Sequence, residues 1–262
     1  MNSGIQNSLL WIYARIRDTG ILSTGPGRRL FEWSYLAYKS FEAGPVDRLA
    51  TFIHPGTLVI DVGANIGFFT HRFARWVGDA GGRVLAIEPE EHNIRRLHEL
   101  VRRRGFQNRV EVLHLAAAER DGTLFLAVNP DHPGDHHLAA SGVPVRAAAL
   151  DTLIGERGWP VVSLIKIDVQ GAEHRVLLGA AEILRRGHPA LFVEMDERRL
   201  KENGSCVGAV AAYLETFGYQ PFRLGRSGAE PIRDLATEAE GWRQKGGYAD
   251  VLFLTQFQPP CP

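Results

Sequence analysis

The stretch LVIDVGANIGFFT, residues 58–70, constrains this chain more than any other segment. Leu58, Val59, Ile60 and Val62 surround the single acid Asp61, and a short apolar run of this kind reads as a buried strand. Gly63, Asn65 and Gly67 follow, residue types that tolerate left-handed backbone and so allow a tight turn. The apolar residues after Gly67 begin a helix. A buried strand passing through such a turn into a helix is the entry to an open α/β sheet, in which ligands bind beyond the carboxyl ends of the strands.

From residue 57 onward strand and helix patterns alternate, which predicts a three-layer, doubly wound α/β fold with a mostly parallel sheet. Leu58–Val62, Arg83–Glu88, Val110–Leu115, Val162–Val169 and Ala190–Met195 read as strands. Ile66–Val77, Glu90–Arg104, Ala172–Arg186 and Val207–Phe217 read as helices. Gly122–Val128 is an extra strand after the Asp121-Gly122 turn, and Val143–Ala147 a short edge strand. Tyr219–Leu224 and Tyr248–Thr255 are the last two strands. The basic run Arg102–Arg104 falls at a helix C-terminus, where positive charge suits the dipole.

Four of these strands end in acids: Asp61, Glu88, Asp168 and Glu194. Asp61 bears on the ligand class. A pyrophosphate at the 63–67 turn would meet a like charge, whereas the ammonium of S-adenosylmethionine's amino-acid tail would meet an opposite one. The dinucleotide fingerprint GxGxxG is also missing. Glu88 follows Gly67 by 21 residues, the spacing at which a carboxylate reaches a ribose diol. Pro89 ends its strand and Asn93 sits one turn into the next helix.

Composition narrows the class further. Thirty Lys plus Arg balance thirty Asp plus Glu, so net charge gives no support for a nucleic-acid partner. Cys206 and Cys261 make neither a disulfide framework nor zinc spacing, which fits a reducing, cytoplasmic setting. The first twenty residues hold an apolar face of Leu9, Leu10, Ile12, Tyr13 and Ile16, too short and too interrupted by arginine to span a bilayer. They read as a helix docked on the domain. A second amphipathic segment carries Phe31, Trp33, Tyr35, Leu36, Tyr38 and Phe41, either as core or at a substrate entrance.

Asp168 is the first candidate for a general base or acceptor anchor, because burial in an apolar strand raises a carboxyl's pKa towards a useful value. Glu194, on the neighbouring strand, is the second. Lys166 lies two residues before Asp168 on the same strand face, and is either an acceptor contact or a structural ion pair. Glu173 either caps the following helix or touches substrate, and His174 is expected to face solvent. The loop 129–142 holds His132, Asp135, His136 and His137. His136 and His137 are candidates for acceptor binding, with a catalytic histidine or a solvated, substrate-gating loop as the other readings. Being adjacent they do not both point inward easily, and no helical HxxxH spacing is present, so no metal is expected.

The segments DVGANIGFFT (61–70), EPEEHN (88–93), HLAAAERDGT (114–123), ALDTL (149–153), IKIDVQGAEHRVLLGA (165–180) and ALFVEMD (190–196) resemble, in order and spacing, the FkbM family of S-adenosylmethionine-dependent methyltransferases. The resemblance covers residues 57–255. It implies a seven-stranded methyltransferase sheet with its last strand antiparallel over residues 51–262, with 1–50 as a helical segment packed on it. By matched position, Asp61, Gly63, Asn65 and Gly67 would hold the methionine part of the cofactor, with Thr70 close by. Glu88, with Pro89 and Asn93, would bind ribose, and Ala116 and Ala117 would lie along adenine. Asp168 would stand at the methyl-transfer site. Gln170 departs from the family, which usually carries Glu there, and His114 stands where Asn is common.

These readings converge on an S-adenosylmethionine-dependent O-methyltransferase acting on a hydroxyl of a small-molecule sugar or secondary metabolite. An NAD-dependent oxidoreductase on the same architecture is the alternative, opposed by Asp61 and the missing fingerprint. A non-catalytic cofactor-binding scaffold is the third, opposed by Asp168 and Glu194. Residues 225–247 and the oligomeric state carry no readable code.

Overall fold

The computed structural model describes residues 46–127, 137–225, 227–244 and 247–256. The expected N-terminal helices, His132, Asp135, His136 and Cys261 lie outside the described residues. Residues 1–46 and 47–262 separate as two units, and the fold below is that of the second.

In chain order the elements are β1 (Leu58–Val62), α1 (Phe68–Trp76), β2 (Arg83–Glu88), α2 (Glu91–Arg104), β3 (Val110–His114), β4 (Ala116–Ala117), β5 (Gly122–Ala127), β6 (His137–Ala139) and β7 (Val143–Ala148). Then come α3 (Leu150–Gly155), β8 (Val162–Ile167), α4 (Glu173–Leu178), α5 (Ala181–Gly187), β9 (Ala190–Met195) and α6 (Glu197–Glu202). The last elements are α7 (Val207–Glu215), β10 (Gln220–Leu224), β11 (Ala229–Pro231), α8 (Leu235–Gln244) and β12 (Ala249–Leu254).

Among the described residues the main sheet has eight strands in the order β11-β10-β12-β9-β8-β1-β2-β3. Strands β3, β2, β1, β8 and β9 are parallel, and β12 enters antiparallel between β9 and β10. This is the expected doubly wound sheet with an antiparallel last strand. The short β11, an eighth strand absent from the sequence reading, pairs antiparallel with β10 at one edge. Strands β1, β8 and β9 are buried along their whole length, because helices cover both sheet faces. No helix among the described residues is long and apolar enough to cross a membrane.

Two expectations need correction. Gly122–Val128 and Val143–Ala147 do not edge the main sheet: β5 and β7 pair with each other and with β6 and β4 in a separate four-stranded sheet. The segment 172–186 is two helices, not one. Asp151 explains the break, accepting from the amides of Glu182 (2.8 Å) and Ile183 (3.0 Å) and so capping a new helix start. Helix α6 was missed although Asp196 caps it in the same way, from Arg198 (2.9 Å) and Arg199 (3.1 Å). Arg102–Arg104 do close α2, followed by Gly105 at φ 71°.

Candidate active site

The parallel register sets β2, β1, β8 and β9 side by side, with Val62 opposite Ile87 and Ile167, and Ile167 opposite Val193. Glu88, Asp61, Asp168 and Glu194 therefore stand along one edge of the sheet, as the strand ends predicted. Their environments differ sharply.

Asp61 is fully buried. Its Oδ2 accepts from Thr70 Oγ1 at 2.5 Å, and its Oδ1 lies 3.7 Å from Lys166 Nζ. Burial raises its pKa, while Lys166 and the Thr70 hydroxyl oppose the rise. Asp61 thus sits beneath the turn with its charge already faced by an ammonium, and Thr70 reaches the turn through Asp61. Asp61 therefore presents less open charge to a ligand than its place near the strand end suggests.

The turn itself supplies a stronger criterion. Gly63 and Ala64 both donate to Ile87 O at 3.0 Å, and Asn65 N donates to Glu88 Oε2 at 2.8 Å. Ile66 N is held by Asn65 Oδ1 at 2.7 Å, and Gly67 N by Ala64 O at 2.9 Å. Five successive amides are engaged inside the protein, so none of them forms the open backbone cradle that a pyrophosphate requires. Gly63 adopts φ 73°, and a Cβ there would meet Asp168 O at 1.8 Å. Gly67 also packs closely on α2: its Cβ would meet Leu100 Cδ2 at 2.3 Å.

Glu88 is buried and knits this turn to the start of α2. Its Oε1 accepts from Glu90 N (3.0 Å) and Asn93 Nδ2 (3.3 Å). Burial pushes its pKa up to about 7, against the pull of these three donors. Asn93 is also buried, so it supports Glu88. Pro89 O meets His114 Nε2 at 3.1 Å, a link an ordinary apolar residue at 114 would not make. Ala116 and Ala117 are buried in β4, beside Ala147 and Ala148.

On the other side of Asp61, Asp168 is the most open of the four acids, its side chain 24% exposed. Lys166 Nζ lies 3.4 Å from Asp168 Oδ2 and donates to Gly63 O at 3.0 Å. Lys166 is buried, which makes it an ion-pair hub rather than an exposed contact. Gln170 Nε2 donates to Asp168 Oδ1 at 3.2 Å and to Glu194 Oε2 at 3.1 Å. The departure at 170 thus adds a donor where a third acid would have added charge.

Glu173 is buried and turns back, its Oε1 accepting from Val169 N (3.0 Å) and Gly171 N (3.1 Å). Burial raises its pKa to about 7. His174 does not face solvent freely: its Nδ1 is 2.6 Å from Ser205 Oγ and its ring packs on Tyr213. His137 belongs to β6 in the second sheet, opposite Ala127. Sequence reading missed Asp250, which pairs in register with Glu194. Strand β12 runs antiparallel, so its acid arrives at the strand's start, where a rule about carboxyl ends does not look.

Residues 61–221 match the model of the methyltransferase FkbM domain. The chain is 28% identical over 233 residues to the AMB antimetabolite synthetase AmbE of Pseudomonas aeruginosa, covering 74% of this chain and 11% of that protein. It is 25% identical over 185 residues to the 2-O-methyltransferase NoeI of Sinorhizobium fredii, covering 62% of this chain and 73% of NoeI. Among solved structures, a methyltransferase FkbM from Methylobacillus flagellatus is 20% identical with a TM-score of 0.49, over 76% of this chain and 43% of that one. With its family model matched over residues 61–221 of 262, the chain belongs to the FkbM methyltransferase family.

Proposed function

We propose that this chain is an S-adenosylmethionine-dependent O-methyltransferase whose acceptor is a hydroxyl of a sugar or secondary metabolite. The carrying observation is the 63–67 turn. Its amides are engaged internally and an open acid, Asp168, ends the neighbouring strand, which favours a cationic, hydroxyl-bearing cofactor over a pyrophosphate and disfavours NAD. The residues present fit that group: Asp168 leaves an open carboxylate beside the turn, and Glu88, though buried, carries its carboxylate at the ribose spacing. The names of NoeI, a 2-O-methyltransferase, and AmbE, an antimetabolite synthetase, support oxygen as the acceptor atom and a metabolite as the acceptor class.

When bound, S-adenosylmethionine supplies a sulfonium-activated methyl group. The protein's work is then to orient the acceptor hydroxyl and take its proton. In this reading Asp168 takes the proton, supported by its being the most open of the four strand-end acids and ending the strand beside the turn. Glu194, 6% exposed, joins it through Gln170. Positioning alone supplies a large share of the barrier reduction in such transfers.

Calorimetry with S-adenosylhomocysteine and NAD tests this reading. Heat with the first and none with the second is expected, and the reverse overturns it. A screen of sugar and natural-product acceptors with labelled cofactor then identifies the acceptor. Asp168→Ala should keep S-adenosylhomocysteine affinity and lose turnover, whereas Glu88→Ala should lose affinity.

A further inference from the structure

Gln170 occupies an uncommon backbone state. Its φ is 55°, in the left-handed region that a non-glycine residue adopts only where the surroundings enforce it. The enforcement is visible: the amides on both sides, Val169 N and Gly171 N, donate to the same Glu173 oxygen. Residue 170 is thereby fixed at the tip of the turn that follows Asp168.

The side chain placed at that tip has two donor protons, and both are used. One goes to Asp168 Oδ1 at 3.2 Å and the other to Glu194 Oε2 at 3.1 Å. Two carboxylates as partners settle which end of the amide faces them, because the carbonyl end would repel both. Asp168 is then held by a different donor on each oxygen, Gln170 on Oδ1 and Lys166 on Oδ2. Glutamate at 170 has no proton to give when ionised, so the same shape would separate the acids by repulsion.

We propose that Gln170 is a positioning residue that binds Asp168 and Glu194 into one acceptor-side acid pair by donating one amide proton to each. It acts through the two acids, and the assignment rests on reading that edge as the acceptor side. Among the described residues, charged groups beside the pair include Lys166 on β8, Asp61 on β1, Glu173 on α4 and Asp250 on β12.

The test is a carbon-13 NMR titration of side-chain carboxyls in the 262-residue chain, comparing wild type with Gln170→Met and Gln170→Glu. Loss of a donor to a charged carboxylate raises its titration midpoint. Both Asp168 and Glu194 should move up together by about one pH unit in Gln170→Met. They should move further in Gln170→Glu, which loses the donors and adds a like charge. S-adenosylhomocysteine affinity should match wild type in both variants, which separates this role from a general structural one. Unchanged midpoints, or movement of only one acid, overturn the proposal. If Gln170→Met does not fold, the isosteric Gln170→Glu decides by the same criterion. Absence of S-adenosylhomocysteine binding in wild type would instead overturn the methyltransferase reading and leave the titration result standing.

Discussion

Lys166 Nζ lies 3.7 Å from Asp61 Oδ1, with the two side chains only 4% and 0% exposed. The same ammonium is 3.4 Å from Asp168 and donates to the carbonyl of Gly63. One buried charge therefore ties the 63–67 turn to the acid of the neighbouring strand. Lys166→Met leaves Asp61 buried and uncompensated, and should cost about 3–5 kcal/mol of stability in denaturant unfolding. Adding Asp61→Asn should recover part of that loss, since the stranded charge is removed. A cost for Lys166→Met near that of an ordinary surface change would show that the pair does not hold the edge together.

Glu173 predicts a pH effect of defined sign. Burial raises its carboxyl from 4.5 to about 7 in the folded protein. The folded state thus binds the proton more tightly, so the stabilisation is complete below about pH 4.5 and is lost as pH rises through about 7. Glu173→Gln keeps an oxygen for the amides of Val169 and Gly171 but does not ionise. It should match wild type near pH 4.5 and exceed it at pH 8 by on the order of 3 kcal/mol. Thermal unfolding across that range reads the difference, and a wild type that gains on the variant as pH rises would contradict the assignment.

Gly63 and Gly105 have nearly the same backbone, φ 73° and 71°, but different room. A Cβ at Gly63 would meet Asp168 O at 1.8 Å, and one at Gly105 meets nothing within 4 Å. Gly105→Ala should cost about 1 kcal/mol, the left-handed penalty alone. Gly63→Ala should cost at least about 3 kcal/mol, because β1 and β8 must separate. Equal losses in urea unfolding would mean that the close approach of these strand ends is not under load.

Much of this architecture was legible from local pattern. The apolar runs of β1, β8 and β9 announce buried strands because parallel strands covered on both faces need no polar side. The acids at their ends stand out against those runs, and Glu88 was legible in the same way at the end of β2. The four-stranded second sheet was not legible, since β5 and β7 carry edge-like patterns that do not say which sheet they join. The break between α4 and α5 was hidden because its cap, Asp151, comes from about thirty residues earlier in the chain. Asp250 was hidden by strand direction.

The strand–turn–helix order, the row of strand-end acids and the absence of a dinucleotide fingerprint follow from residue type and spacing, which are local properties. The tertiary structure decided which acids are exposed and what each one faces. Asp61, read from sequence as a charge open to the cofactor, is enclosed with Lys166. Gln170, read as a lost charge, became the donor between Asp168 and Glu194. Burial and pairing depend on groups brought together from separate strands. A carboxylate's role is therefore set by its neighbours in space, which no spacing along the chain records.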